Sequence, residues 1–206
     1  MNFVNTYSFI WYKYVSNFLV YNAFWCMKKY FIIFLLFLFS CSSGEEWVVT
    51  WLVLHEGSGF DMSIPSNWET ITQESNMLPN PKNSQIALAV SSQDLKYGFS
   101  NNLLILSQDL DKTISSTDFS IWNYVGSTKE YLEFVKLDSK NIDFINGEKS
   151  NIYVFEAKYN PQTPRFKYIQ TGVVCEKKWY LITVALSTDI KDTSKYEEVI
   201  KTFQCK

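Results

Sequence analysis

One histidine and four cysteines are the side chains with the widest chemical range in this sequence. His55 is the single imidazole, so a Ser-His-Asp or Cys-His catalytic unit has to pass through it, and a zinc site can draw on at most one imidazole. It follows a strand-like run and precedes Glu56-Gly57-Ser58-Gly59, which is not a Gly-x-Ser-x-Gly nucleophile elbow. No nucleophile or oxyanion loop is recognisable beside it, and a surface or turn position is expected. Asp109, Asp111 and Asp118 could attract a calcium ion, but the Asp-rich loop with its later Glu is missing, so they are expected to be solvated loop charge. Seven glycines occur, and none has the spacing of a phosphate cradle. The residues point to no catalytic site, no metal and no cofactor.

The cysteines say more. Cys41 follows Met27-Lys28-Lys29, the apolar run Tyr30 to Phe39, and Ser40: a positive segment, a greasy segment and a small residue, the layout of a secretory signal. That run would span roughly 15 Å as a helix, against a bilayer core of about 30 Å. It is too short for a stable span. Leu38-Phe39-Ser40-Cys41 resembles the lipobox of bacterial lipoproteins. Phe39 is bulkier than is usual at its position, which that pattern tolerates. The chemistry implied is specific, because a thiolate takes the diacylglyceryl group on Cys41 while a small Ser40 lets the signal peptidase reach the Ser40–Cys41 bond. The alternatives are a free thiol after a plain signal peptide, or a membrane-anchoring helix.

The expected organisation is therefore 1–26 as a mis-assigned upstream extension, 27–40 as the lipoprotein signal peptide, 41–46 as a short tether and 47–206 as one globular domain. Residues 1–26 precede a complete signal and add nothing export needs, so translation is expected to start at Met27. The rival for that stretch is an aromatic interfacial segment, since Trp and Tyr favour headgroup depth.

Composition narrows the partners. The chain is 47% apolar and 17% aromatic over 206 residues, enough for one buried core. Lys13, Lys28 and Lys29 are the only charges before Cys41, which leaves 16 bases against 21 acids beyond it, a balance of −5. Arg165 is the single arginine, and the lysines are interspersed with acids. Phosphate neutralisation needs clustered cations, so nucleic acid is not an expected partner.

Strands are expected at Trp47–Leu54, Phe60–Ile64, 70–74, 86–91, 102–107, 131–138, 151–159, 166–175 and 178–187, from β-branched and aromatic runs bounded by turn residues. Helices are expected over Thr117 to about Val125, capped by Thr117 or Asp118, and over Ser194–Phe203, where Tyr196, Val199, Ile200 and Phe203 recur at helical spacing. Pro79, Pro81, Pro161 and Pro164 mark loops at 76–84 and 160–164. Strands in long succession with two helices predict an α+β fold, an antiparallel β-sheet covered by helices. If Cys26 leaves with the leader and Cys41 takes the lipid, Cys175 and Cys205 remain as an even pair in an exported domain. The strand after the Glu176-Lys177-Lys178 turn runs away and the last helix runs back, so a Cys175–Cys205 disulfide is expected. Two free thiols or a redox pair are the alternatives, though no Cys-x-x-Cys occurs.

Gly59-Phe60-Asp61-Met62-Ser63-Ile64-Pro65-Ser66-Asn67-Trp68 resembles the opening pattern of the PsbP-like family, whose fold is shared with Mog-type Ran-binding proteins. Ile145-Asn146-Gly147 is similar to a turn of that family, and the closing hairpin, helix and Thr202-Phe203 follow its order. The resemblance covers about Trp47 to Cys205. It implies an α/β/α sandwich in which Gly59 permits a turn, Pro65 ends a strand and Trp68 is a core anchor. It also implies partner binding rather than catalysis. The function expected is a non-catalytic binding or assembly module at the cell envelope, anchored by lipid to the extracytoplasmic face of a membrane and facing a protein partner. The rivals are an envelope hydrolase or ligand carrier with a dispersed site, and a structural filler between membrane and wall.

Overall fold

Gly59 has φ of +87°, and a Cβ built on it would lie 2.7 Å from the Tyr180 hydroxyl, so this turn needs glycine twice over, for its backbone and for the approach of a neighbour. The turn joins the first two strands of the computed structural model, which describes residues 51–72, 78–79, 81, 83–96 and 98–206. In chain order these form β1 (Leu52–Glu56), β2 (Phe60–Pro65), β3 (Trp68–Thr70), β4 (Gln85–Lys96), β5 (Phe99–Asp109), α1 (Ser116–Glu130), β6 (Leu132–Asp143), β7 (Lys149–Lys158), β8 (Phe166–Cys175), β9 (Lys178–Leu186), α2 (Ser194–Lys201) and β10 (Gln204–Cys205). The fold is α+β. Residues 1–46, and the expected strand at Trp47 to Thr50, lie outside the described residues.

Seven strands make one antiparallel sheet in the order β3-β4-β5-β9-β8-β7-β6, and β1-β2-β10 make a smaller one. Two layers cover the large sheet. On one face Phe60 and Met62 of β2, and Tyr196, Val199 and Ile200 of α2 with Phe203, pack on Ile105, Ile169 and Ile182. On the other face α1 brings Tyr124, and Tyr131 follows it, onto Tyr153, Phe155 and Tyr168. β8 lies under both layers and so does not alternate: Lys167, Gln170 and Thr171 are buried along with Ile169 and Val173. Their polar atoms are met, with Gln170 accepting from the Ser127 hydroxyl at 2.9 Å and donating to Thr183 Oγ1 at 3.2 Å. Burial pushes the Tyr131 phenol up to about 12, helped by Tyr159 and Glu130.

Several boundaries differ from expectation, each for a local reason. α1 is capped by Ser115, not by Thr117 or Asp118: its hydroxyl accepts from the Asp118 N–H at 3.0 Å and donates to the Asp118 carboxylate at 2.7 Å. The helix also passes Gly126 and runs to Glu130. β3 starts at Trp68, because the turn before it is fixed by Ser66 N–H donating to the Trp51 carbonyl at 2.7 Å. Of the expected strand 70–74, Thr70 pairs, Ile71 and Thr72 leave the strand, and 73–74 fall outside the described residues. β10 went unexpected: Gln204 and Cys205 pair with Asp61 and Phe60 of β2.

Candidate functional site

Three short segments converge beside α2: the Pro65-to-Trp68 turn, the facing ends of β4 and β5, and the Ser187-to-Thr193 connection. Between them lies a groove of about 610 Å³. Its apolar walls are Trp51, Trp68, Phe99 and Tyr196. Trp68 and Tyr196 are tilted rings with centroids 6.2 Å apart, and Phe99 is held by stacking on Phe166 at 3.9 Å. Lys195 Nζ lies 4.8 Å from the centre of the Tyr196 ring, a cation–π contact.

The rim is polar and carries both signs of charge. Lys96 Nζ lies 3.7 Å from Asp189 Oδ2 across the β4 end. The Ser187 hydroxyl above all holds the Asp189 carboxyl below the usual carboxylate range; desolvation opposes it, and the Lys96 charge adds to the lowering, so the group is anionic at neutral pH. Ser187 N–H donates to Asn101 Oδ1 at 3.0 Å and ties the connection to β5. Ser92 Oγ accepts from Asp94 N–H at 3.0 Å. The two serine hydroxyls of this groove thus face carboxylate or backbone partners, not an imidazole.

Trp68 is the main correction to the sequence reading of side-chain roles. It was expected as a core anchor, yet it is only half-buried, packing on the margin of the core while forming the groove wall. A three-residue strand at the sheet edge cannot bury an indole on both sides. His55 lies within β1, half-buried, its ring 6.1 Å from Phe60 and away from the groove. The acids are not gathered: Asp109 lies 3.8 Å from Lys178 at the end of β5, Asp111 is exposed in the following link, and Asp118 belongs to the α1 cap. Cys175 and Cys205 stand at disulfide distance, their Cα atoms 5.6 Å apart. Ser40 and Cys41 lie outside the described residues. So do Asn76, Met77, Asn80 and Lys82 of the expected 76–84 loop. No sequence signal announced the groove, because its walls come from four separate stretches between Trp51 and Tyr196. The nearest hint was the cluster of Trp51 and Trp68 around a turn.

No family model and no curated protein matches this chain. Its structure is similar to the solution structure of cyanobacterial PsbP (CyanoP) from Synechocystis sp. PCC 6803, with a TM-score of 0.52 at 12% identity, over 81% of this chain and 99% of that one. A Pseudomonas aeruginosa protein of unknown function, PA94, described as a putative regulator, aligns with a TM-score of 0.47 at 10% identity over 73% and 94% of the two chains. The Saccharomyces cerevisiae Ran-binding protein Mog1p aligns with a TM-score of 0.40 at 8% identity over 75% and 96%. At such identities the likeness is one of fold, and the chain is an α+β protein with a PsbP-like fold.

Proposed function

We propose that this chain is a bacterial lipoprotein, held by a lipid on Cys41 to the extracytoplasmic face of a membrane, whose domain is a non-catalytic module that binds or assembles with a protein partner through the Trp68–Tyr196 groove. The observation that supports the binding half is the groove itself: four aromatic walls, an exposed Lys96–Asp189 pair on the rim, and two serine hydroxyls engaged with carboxylate and backbone. Such a lining suits recognition of a segment presenting an apolar side chain flanked by charge. The anchoring half is supported by the lysine pair, the short apolar run and the Leu38-to-Cys41 pattern. A photo-crosslinking residue placed at Asn67, on the groove rim, tests the binding half in native membranes. A discrete protein adduct that disappears when Trp68→Ala is added is expected, and irradiation that yields no adduct contradicts the reading.

A small-ligand carrier is the second reading, favoured by the groove's volume, which lies within the range of small-molecule sites. It predicts no protein adduct and a non-protein molecule co-purifying with the native chain and lost from Trp68→Ala.

A further inference from the structure

Helix α1 turns hydroxyls inward and apolar side chains outward, the reverse of a helix that only covers a sheet. Its inner face meets the sheet through Ser120, whose hydroxyl donates to the Asn151 carbonyl at 2.6 Å, and Ser127, which donates to Gln170. Phe119 and Tyr124 add rings there. Its outer face carries Ile121, Trp122 and Val125, exposed by 37%, 67% and 46%.

Asp118, Trp122, Val125 and Lys129 are all exposed and follow one another at intervals of four, three and four, the spacing of a seam between paired helices. The series is complementary to its own reverse. An antiparallel copy turned about an axis between positions 123 and 124 sets Asp118 against Lys129, Trp122 against Val125 and Ile121 against Gly126. Both charge pairs are then of opposite sign, and Lys129 has no ion pair among the described residues. Gly126 is an independent mark. Glycine weakens a helix interior, and a Cβ here would meet nothing within 4 Å, so no contact inside the chain requires its absence. A second helix crossing at this point would use that space for Ile121.

We propose that the outer face of α1 is a self-association surface whose partner is α1 of a second copy of this chain, paired antiparallel across a two-fold axis. Three apolar side chains per copy fall well short of the roughly 800 Å² per partner of a stable interface, so the pairing is weak and depends on concentration. It involves no residue of the groove and stands whether or not the groove binds a protein.

The test uses the full chain, mixed as equal parts nitrogen-14 and nitrogen-15 protein in detergent and treated with a carbodiimide that leaves no spacer. Within one helix Asp118 and Lys129 are about 16 Å apart, too far for such a bond, so an Asp118–Lys129 crosslink reports two copies. Isotopically mixed Asp118–Lys129 peptides are expected, falling tenfold or more in Trp122→Asp and absent from Lys129→Glu alone, which has no amine at 129 to couple, with circular dichroism showing both variants folded. Combining the Lys129→Glu chain with an Asp118→Lys chain restores opposite charges at both ends and should recover the mixed peptides. The proposal is overturned if only unmixed peptides form and sedimentation shows a monomer at every concentration. It is equally overturned if Asp118 and Lys129 couple only to other proteins, or if Trp122 emission shifts on phosphatidylglycerol vesicles while no mixed peptide forms.

Discussion

Cys175 ends β8 and Cys205 ends β10, and with 5.6 Å between their Cα atoms they tie the last strand of the small sheet to the central hairpin of the large one. The pair spans 30 positions, so closing that loop removes enough freedom from the unfolded chain to contribute about 3 to 4 kcal/mol in the chain-entropy account. Urea unfolding with and without reductant checks this. The oxidised protein should have the higher urea midpoint and an unfolding free energy greater by that margin, and Cys205→Ser should match the reduced protein.

Gly172 lies under α1, where a Cβ would run into the Phe119 ring and sit 3.1 Å from the Ser120 backbone nitrogen. Gly172→Ala should therefore cost about 1 to 3 kcal/mol by overpacking. Gly126→Ala on the outer face of the same helix meets nothing within one copy and, measured at a concentration where the chain is monomeric, should be neutral or stabilise by about 0.5 to 1 kcal/mol through helix propensity. Denaturant midpoints of the two variants should move in opposite directions or differ by at least the cost at Gly172.

Glu133 sits with a positive φ of 51° at the bulged start of β6, 2.6 Å from Lys158 Nζ and 2.9 Å from Arg165. Hydrogen bonds from Lys158 and then Arg165 hold its carboxyl below the ordinary 4.5. The folded chain thus releases this proton more readily than the unfolded chain. Its contribution is present above the unfolded value and is lost as pH falls through the lower folded one. Glu133→Gln should be less stable than the native chain at pH 7, and the gap in thermal midpoints should close on acidification below about pH 4. A gap that is constant from pH 7 to pH 3 contradicts the assignment.

Strand positions and the α+β class were legible because β-branched runs between turn residues fix local structure, and Asn146-Gly147 is turn chemistry in the plain sense, whereas the order of the strands in the sheet was not. The closing helix was legible because Tyr196, Val199 and Ile200 meet the core on one face. What the sequence hid depends on contacts between distant stretches. Two residues of β10 have no pattern of their own and become a strand only because β2 offers an edge. Trp68 reads as core until its strand proves to be three residues at the sheet margin. The groove was invisible for the same reason, since Trp51, Trp68, Phe99 and Tyr196 share no local period and meet only after the sheet forms.

Membrane attachment through Cys41 is tested most directly by feeding cells a labelled fatty acid and following the native chain beside Cys41→Ser through fractionation. The native chain should take up label and sediment with membranes, while the serine variant should be unlabelled and leave the membrane fraction. A serine variant that sediments as before, processed to the same mass, would contradict attachment through Cys41.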